Sequence, residues 1–503
     1  MQIAIIGAGP GGLSAGMILA YHGFNVTIYE KKNDVGGRNS YLTDNNAKYR
    51  FDIGPTFLVM PFILEDIFYQ CNKSLYDYLE LKLLDPYYKI DFGDGTELHL
   101  GHNLKRVIEN IKEYNLNDVE GFKKYLYDNE QKFNKVFPFL RKDYQNSIIN
   151  WDSLKLFFIG KTYMSLKKDL IRYFQDDRLI TGFSLIHKYL GISSEKCPAL
   201  YSILPYMEFS SGIYHVIGGL NQISKAMATV FKQLGGNLKL NSEVSNINIQ
   251  NGKATGLTLK DGSIVDYDEI IMNADFTNGL SNLVSNSKRS KYTDNKLEKM
   301  DHSYSNFTLY LGLNKLYYNL SHHNFFNIDN YPNLKKTSVD SFIYVQNPSI
   351  NDSTLAPCDH STMYITLTVP NTKSDYDWKE LSINIRNEIV KLLQKEAKLD
   401  NIEEHIEFER IITPDEWEKC YDVGYGACFN LSHSRNQIMS KRPLNNFEEF
   451  LNMWLVGGGT NPGSSLPFVF ESGRVTAHSI LKKYNIKVPE LFIPPVSHGY
   501  FNL

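Results

Sequence analysis

The first twelve residues of the chain read Met1-Gln-Ile-Ala-Ile-Ile-Gly-Ala-Gly-Pro-Gly-Gly12. Ile3 to Ile6 is a short apolar run of the kind that forms a buried parallel strand. Gly7, Gly9 and Gly12 follow it with the spacing G-x-G-x-x-G. In this pattern the first glycine permits a tight turn, the second lets the backbone approach a pyrophosphate, and the third lets a helix pack closely on the strand. The stretch therefore predicts a strand, a phosphate-binding turn and a helix.

The next residues extend this pattern to a complete β-α-β unit. Leu13 to His22 has the composition of a helix whose amino end would present free N–H groups to phosphates. Gly23 is a typical helix stop, and Val26-Thr-Ile-Tyr29 predicts the second strand. Glu30 follows at the strand end, where its carboxylate would accept hydrogen bonds from both ribose hydroxyls and would repel the 2′-phosphate of NADP. A glycine motif alone is weak evidence, but five features in register predict a dinucleotide site.

Gly36-Gly37-Arg38 favours one of the two remaining dinucleotides. Two adjacent glycines let the chain pass close to the flavin end of a cofactor, and Arg38 offers a fixed cation near its pyrophosphate. An ordinary surface arginine is the alternative interpretation of Arg38. The segment favours FAD over NAD.

Length and composition limit the kind of protein that the sequence encodes. The chain has 503 residues, of which 42% are apolar and 22% are charged, so we expect two globular domains. The net charge of −3 gives no reason to expect a nucleic-acid partner. The sequence has no uncharged apolar stretch of about eighteen residues that would span a membrane. Because the chain starts with the cofactor strand, we expect no signal peptide.

The cysteines give no sign of metal binding or of a disulfide framework. They are Cys71, Cys197, Cys358, Cys420 and Cys428. Their number is odd, they are widely scattered, and they lack the spacing of metal ligands. We expect free thiols in a reducing compartment and no metal site.

The sequence predicts a nucleotide-binding domain that is built from three separated pieces, residues 1–75, 218–277 and 441–503. Between them, residues 76–217 are predicted to be helical and rich in aromatic side chains, and residues 278–440 alternate like strands before a helical stretch. The predicted fold class is α/β, a Rossmann-like FAD-binding domain with an inserted substrate domain. That insertion would combine a mixed sheet with a helical, aromatic-rich part that faces a membrane.

Further motifs along the chain resemble one protein family. In chain order they are Phe51-Asp-Ile-Gly-Pro-Thr56, Tyr189-Leu-Gly-Ile192, Pro198-Ala-Leu-Tyr-Ser-Ile-Leu-Pro205, Thr413-Pro-Asp-Glu-Trp417, Arg442-Pro443 and Gly459-Thr-Asn-Pro-Gly-Ser-Ser-Leu-Pro467. Each motif is a modest signal, but their order and separations are specific. The chain resembles, nearly end to end, the bacterial phytoene and dehydrosqualene (diapophytoene) desaturases, a branch of the FAD-dependent amine-oxidase-like superfamily.

The glycine-rich unit and this resemblance together imply a set of FAD contacts. They are Gly7, Gly9, Gly12, Glu30, Gly37, Arg38, Gly54, Pro55, Thr56, Val244, Gly458, Gly459 and Pro467. Two positions depart from the usual family pattern. Asn461 stands where the C-terminal loop usually has a histidine, and His215 lies in a segment that usually carries a proline. Both are expected near the flavin or the substrate, and they leave the particular substrate and oxidation open.

The reaction that the resemblance implies removes two hydrogens from adjacent carbons of a linear polyisoprenoid. A flavin takes hydride from an allylic carbon and a neighbouring proton leaves, so the protein mainly holds the chain against the ring and excludes water. Glu208 and Glu471 are the candidate catalytic residues that would accept the proton. A structural role is the alternative for each, since a carboxylate at a helix end is often only favourable with the dipole. Substrate length (C30 or C40), number of steps, electron acceptor and oligomeric state stay open.

A hydrocarbon substrate implies contact with a membrane surface. At about 0.8 kcal/mol per CH₂, a thirty-carbon chain stays in the bilayer by roughly 20 kcal/mol. Residues 154–174 mix apolar and cationic side chains as an interfacial surface would, although an amphipathic core helix would read the same. The sequence thus predicts a cytoplasmic enzyme that associates peripherally with the cell membrane.

Three other functions share or overlap the expected fold. A carotenoid oxidase would convert a terminal methyl group to an aldehyde. A flavin amine oxidase would need an aromatic cage for a small polar substrate. A non-catalytic prenyl-binding escort protein has no need to hold a flavin, so the presence of Glu30 and Arg38 disfavours it. An FAD-dependent carotenoid desaturase is the favoured interpretation.

Overall fold

A computed structural model describes residues 1–141, 155 and 157–491 of the protein. Its α-helices are numbered in chain order. They are α1 (Pro10–Tyr21), α2 (Pro61–Gln70), α3 (Leu104–Tyr114), α4 (Leu116–Leu140), α5 (Leu166–Leu170), α6 (Asp177–Ser184), α7 (Ile203–Ser211), α8 (Asn221–Gln233), α9 (Phe276–Leu283), α10 (Asp294–Lys299), α11 (Pro332–Thr337), α12 (Trp378–Lys395), α13 (Pro414–Tyr421) and α14 (Leu466–Lys483).

The strands are numbered in the same way. They are β1 (Gln2–Ile6), β2 (Asn25–Tyr29), β3 (Tyr41–Thr43), β4 (Arg50–Asp52), β5 (Leu58–Val59), β6 (Leu81–Leu83), β7 (Tyr88–Asp91), β8 (Glu97–Leu100), β9 (Ile213–Val216), β10 (Asn237–Lys239), β11 (Val244–Gln250), β12 (Lys253–Leu259), β13 (Ile264–Asp266), β14 (Glu269–Met272), β15 (Ser305–Leu313), β16 (His323–Asn327), β17 (Phe342–Gln346), β18 (Ser361–Val369), β19 (Ile406–Ile412) and β20 (Met453–Leu455).

A parallel sheet with the strand order β10-β2-β1-β14-β20 forms the first half of the fold. Ile5 of β1 lies between Ile28 of β2 and Ile271 of β14. Helices cover both faces of such a sheet, which is why the apolar run at Ile3–Ile6 is continuous rather than alternating. The predicted Rossmann-like α/β class is confirmed. The five strands come from the three chain segments assigned to the nucleotide-binding domain, whose exact boundaries stay a prediction.

A mixed sheet with the order β19-β15-β18-β17-β16-β7-β8 forms the second half. Its two faces differ because side chains alternate along each strand. On β15, Phe307, Leu309 and Leu311 belong to an apolar core that also contains Ile385 and Ile389 of α12. The opposite face points toward the parallel sheet and carries polar and aromatic side chains. This sheet confirms the predicted strands of the substrate domain.

The segment at residues 76–217 is less purely helical than the sequence predicted. It contains β6 to β9 as well as α3 to α7, and β7 extends the mixed sheet by pairing in parallel with β16. Strands of three or four residues are too short for hydrophobic alternation to identify from sequence. The expected aromatic packing is present, since the rings of Phe174 and Phe183 stack with centroids 4.7 Å apart. In the described ranges, none of the helices combines the length and the apolar character that a bilayer span requires.

Candidate active site

A cleft of about 480 Å³ lies where the parallel sheet, the mixed sheet and the helical segment meet. Gly9 lines it from the first, Tyr344 from the second and Leu204 from the third. Most of the predicted FAD contacts also line it. They are Gly7, Gly9, Glu30, Gly37, Arg38, Gly54, Pro55, Thr56, Val244, Gly458 and Pro467. Gly12 and Gly459, in contrast, do not line the cleft.

The glycine turn between β1 and α1 is held by the side chain of the residue that follows β14. Asn273 follows that strand, and its Nδ2 donates to the carbonyl oxygens of Gly7 (2.9 Å) and Gly9 (3.4 Å). Gly7 has φ +100°, a conformation that side chains rarely adopt. A Cβ on Gly12 would lie 2.5 Å from the Gly7 carbonyl oxygen, so this glycine serves close packing rather than contact with a ligand. Gly459 is similar, because its Cβ would lie 2.3 Å from Cβ of Phe276.

The carboxylate of Glu30 is oriented by two backbone donors at the end of β2. Its Oε2 accepts from the Ala8 N–H and its Oε1 from the Lys32 N–H, both at 2.9 Å. Glu30 is buried and lines the cleft. A carboxylate offers about four lone-pair sites, so acceptor capacity remains on each oxygen. This arrangement suits a pair of hydroxyl donors.

The guanidinium group of Arg38 is fixed at the cleft by a backbone carbonyl group. Its Nη1 donates to the carbonyl oxygen of Cys428 at 2.9 Å, and its Nη2 would lie 3.8 Å from a Cβ on Gly458. Arg38, Cys428, Gly37 and Gly458 all line the cleft. The cation is therefore held at the cleft by the backbone carbonyl group of Cys428.

Two helix amino ends also border the cleft. Pro10 starts α1, and Leu466 and Pro467 start α14; all three line the cleft. In α1 the first amide with an intrahelical acceptor is that of Leu13, which donates to Gly9 at 3.0 Å. The amide groups before it have no acceptor within the helix and carry the positive end of the dipole. Two such ends favour an anionic ligand between them.

The segment Gly54–Thr56 joins this region to the mixed sheet. The Tyr344 hydroxyl donates to Thr56 Oγ1 (3.0 Å) and also contacts His323 Nδ1 (2.6 Å). Gln346 Nε2 donates to the Thr56 carbonyl oxygen at 3.0 Å. Burial holds the pKa of His323 well below its ordinary value, so this imidazole is neutral. The network fixes the wall of the cleft at Thr56.

Glu208 is a buried carboxyl group in the part of the cleft that the helical segment lines. It lies on α7, and its Oε1 accepts a 2.9 Å hydrogen bond from the Tyr88 hydroxyl. Burial raises its pKa to about 8, although the bond from Tyr88 opposes the rise. Apolar side chains, including Leu204 and Phe325, line the same cleft. Glu208 therefore exchanges a proton near neutral pH.

Glu471 occupies a different environment and does not line the cleft. Its Oε1 accepts from Arg141 Nε (3.0 Å), and its Oε2 accepts from Arg474 Nη2 (2.6 Å). Burial alone would raise the pKa of Glu471, but Arg474 and Arg141 hold it below its ordinary value. The carboxylate is thus ionised, doubly paired and away from the cleft, and its position does not support the predicted catalytic role.

The two departures from the family pattern are both buried, and their expected place near the flavin or the substrate stays a prediction. His215 on β9 is buried, and its Nε2 contacts Asp352 at 2.8 Å. Asn461 is buried beside Pro443, to whose carbonyl oxygen its Nδ2 donates at 3.4 Å. Neither residue lines the cleft. These substitutions therefore give no reason to prefer a terminal oxidation.

Aromatic side chains also line the cleft, among them Phe57, Tyr189, Phe325, Tyr344 and Tyr364. Tyr189 lies in a motif and in an aromatic-rich segment singled out from the sequence, whereas sequence reasoning missed the other four. Phe325, Tyr344 and Tyr364 alternate along β16, β17 and β18 with residues of the apolar core. That alternation is the signal that places them on the cleft face. Asn273 was missed as well, because a polar residue after a strand has many roles.

The groups around the cleft have the chemistry that FAD requires. A ribose needs an acceptor such as Glu30, and a pyrophosphate needs cations and helix amino ends such as those at Arg38 and Pro10. Gly9 lines the cleft, and a Cβ there would meet Asn273 Nδ2 at 3.1 Å, so a glycine keeps the turn close to that side chain. The described residues therefore fit this cofactor.

Known proteins with similar sequences and structures agree with this assignment. Residues 10–481 match the model of the family "flavin containing amine oxidoreductase". The chain is 39% identical to a 4,4'-diapophytoene desaturase (4,4'-diapolycopene-forming) of Methylomonas sp over 97% of both chains. It is 31% identical to an all-trans-zeta-carotene desaturase of Myxococcus xanthus, over 96% of this chain and 93% of that protein.

A solved structure supports the fold. An oxidoreductase from Methanosarcina mazei superimposes with a TM-score of 0.62 at 17% identity, over 96% of this chain and all of that one. The family model matches most of the chain. Both sequence relatives are more than 30% identical to the chain over nearly its whole length. The chain therefore belongs to the flavin-containing amine oxidoreductases, in their carotenoid desaturase branch, and is an FAD-dependent oxidoreductase.

Proposed function

We propose that the protein is an FAD-dependent desaturase of a linear C30 or C40 polyisoprenoid hydrocarbon. One observation carries the proposal, namely a cleft that continues from the glycine turn at Gly9 to an aromatic wall at Tyr189. The relatives from Methylomonas sp and Myxococcus xanthus, which align over nearly the whole chain, are named as carotenoid desaturases. Neither a hydrolytic nucleophile nor a metal ligand set is needed for this reaction.

We propose that the cofactor lies along the glycine turn. Glu30 binds the ribose, Gly7 and Gly9 let the backbone approach the pyrophosphate, and Arg38 balances its charge. Gly37, Gly54, Pro55, Thr56, Val244, Gly458 and Pro467 complete the contacts. Gly12 and Gly459 contribute only by allowing close packing.

The chain's own residues orient the substrate and exclude water from it. Bound FAD supplies a two-electron oxidant for a carbon–carbon single bond. Phe57, Tyr189 and Phe325 present ring faces and edges to a hydrocarbon, whose burial among them displaces water. Holding the reacting carbons in one position accounts for a large part of the acceleration.

Glu208 is the residue that we propose as acceptor of the substrate proton. Its carboxylate form takes the proton that leaves beside the oxidised carbon, and becomes the neutral acid that its surroundings favour. A pKa of about 8 means that both forms are populated near neutral pH, as general acid–base catalysis requires. Glu471 receives no chemical role.

The described part of residues 154–174 supports a membrane-facing surface; Leu154 and Leu156 lie outside the described residues. Phe158 is 62% exposed and Ile171 is 56% exposed, which is unusual for such apolar side chains. Lys167, Lys168 and Arg172 are exposed among them. Apolar side chains combined with cations suit an anionic bilayer surface, from which the substrate would be drawn.

Reconstitution tests both parts of the proposal. Holoenzyme added to vesicles that contain dehydrosqualene or phytoene should lengthen the conjugated system, so the visible absorption should move stepwise to longer wavelength. Failure to convert either polyene, with FAD bound, would contradict the desaturase proposal. In sedimentation with anionic vesicles, a Phe157→Ser/Phe158→Ser variant should bind at least about tenfold less than wild type. Ile383→Ser on α12, where Ile383 is 64% exposed, is the matched control.

A further inference from the structure

The helical segment closes the part of the cleft that it lines. Ile186, Lys188, Tyr189, Leu190, Leu204 and Glu208 form the lining there. Behind them is a layer of buried aromatic side chains that do not line the cleft. This layer consists of Tyr87, Tyr88, Phe122 and Phe209. Their rings contact each other, as Tyr87 does Tyr88 and Phe122 does Phe209, so the cleft ends at the lining.

The ring of Tyr189 belongs to the lining and packs against this layer. It packs edge-to-face against Phe57 with centroids 5.1 Å apart, and it stacks on Tyr88 with centroids 6.5 Å apart. Neighbouring Lys188 donates to both carboxylate oxygens of Asp340 (2.7 and 2.6 Å) and to the Phe342 carbonyl oxygen (2.7 Å). These bonds attach the short 3-10 helix Leu185–Leu190 to the mixed sheet. The ion pair therefore fixes the backbone at Tyr189, and the contacts with Phe57 and Tyr88 hold the orientation of the ring.

The hydroxyl group of Tyr189 is buried and lies next to the side chain of Tyr88. Tyr189→Phe removes this hydroxyl group but keeps the ring, which packs against Phe57 and Tyr88 and forms the wall. Phenylalanine at this position is thus a matched control for any smaller side chain.

We propose that Tyr189 is a specificity-determining residue that limits the length of the polyene, and favours a C30 over a C40 chain. A rigid wall prevents the longer chain from moving far enough along the cleft to bring its reacting carbons to the same place. One methylene group too many or too few in an apolar pocket changes substrate selectivity by about 10–200-fold. A C40 chain is longer than a C30 chain by two isoprene units, a much larger difference. The inference rests on the proposed function, since it assumes a linear polyene in this cleft.

The test compares kcat/KM for dehydrosqualene (C30) and phytoene (C40) in vesicles. Wild-type holoenzyme and the Tyr189→Phe variant should both favour the C30 chain by at least about tenfold. Tyr189→Ala should reduce that preference at least about tenfold, mainly by raising turnover of the C40 chain. Tyr189→Leu serves as a second truncation if the alanine variant does not hold FAD.

Two results overturn the proposal. One is equal use of both polyenes by wild type, and the other is an unchanged preference in FAD-loaded Tyr189→Ala and Tyr189→Leu. If wild type converts neither polyene, the proposed function fails separately. The length limit is then read from binding, as the change in the visible spectrum of bound FAD on titration with each polyene. Equal affinity for the two chains in wild type and the truncated variants would overturn it.

Discussion

The Tyr88 hydroxyl donates a 2.9 Å hydrogen bond to Oε1 of Glu208, and both side chains are buried. The bond stabilises the carboxylate, while the loss of water around it favours the neutral acid. Burial has the larger effect, so the pKa of Glu208 rises to about 8. Tyr88 comes from β7 of the mixed sheet and Glu208 from α7, so a strand and a helix that are distant in the chain together set the pKa of Glu208.

Glu208→Gln is expected to abolish most of the desaturase activity. The amide keeps the size of the side chain and accepts the Tyr88 bond, but it cannot take a proton. Loss of a general base typically lowers the rate by about 10²–10⁴-fold. Polyene conversion in vesicles measures this, with FAD content as the control for folding. Activity within twofold of wild type would remove Glu208 from the mechanism.

Activity should depend on pH with the profile of a required base. The ionised form of Glu208 increases as the pH rises through about 8, so kcat should rise through this range and level above it. Tyr88→Phe removes a bond that lowers the pKa of Glu208, and should therefore shift the profile to higher pH. A shift to lower pH, or no shift, contradicts this account. The profile is measured in the same vesicle assay with saturating polyene.

Glu30→Ala is expected to weaken FAD binding much more than it affects folding. Hydrogen bonds to a charged group contribute about 1.5–3 kcal/mol, which corresponds to roughly a 10–150-fold rise in Kd. Flavin release on dilution measures the affinity, and circular dichroism of the apoprotein checks the fold. Gly12→Ala is the contrasting variant, because its Cβ would strike the Gly7 carbonyl oxygen and disturb packing as well. Unchanged FAD occupancy in Glu30→Ala would exclude the ribose assignment.

The nucleotide-binding half was predictable from sequence because its constraints are local. A strand, glycines and an acidic residue lie within the first thirty residues, and their spacing fixes the turn at Gly9 and the position of Glu30. The substrate half depends on contacts between distant segments. Tyr344 reaches Thr56 across 288 positions of the chain, and no local pattern encodes that pairing.

Glu208 and Glu471 illustrate the same difference. Both are buried glutamates on helices, and the sequence treats them alike. The structure separates them, because α4 brings Arg141 to Glu471, whereas β7 brings only the Tyr88 hydroxyl to Glu208. The identity of the partner, not the local sequence, determines which carboxyl group is ionised.

Glu471→Gln is therefore expected to lower stability and to leave kcat nearly unchanged, whereas Glu208→Gln lowers the activity. It removes a buried negative charge that pairs with Arg141 and Arg474, and breaking such a pair typically costs about 3–5 kcal/mol of stability. The variant should unfold at lower temperature and lower denaturant concentration. Its kcat per FAD-loaded molecule should stay near wild type, because the carboxylate does not line the cleft.

The pH dependence of unfolding separates the two glutamates further. The pKa of Glu471 is lowered by its arginine partners, so its contribution to stability is present above the ordinary pKa and is lost as the pH falls through the lowered value. The pKa of Glu208 is raised, so its ionisation lowers stability progressively as the pH rises from about 4.5 toward 8. Denaturant titrations of Glu471→Gln should show a smaller loss of stability at low pH than wild type. Those of Glu208→Gln should show a smaller loss of stability as the pH rises from about 4.5 toward 8. The reverse pairing, or a loss of kcat in Glu471→Gln that exceeds its loss of bound FAD, would contradict the assignment of both residues.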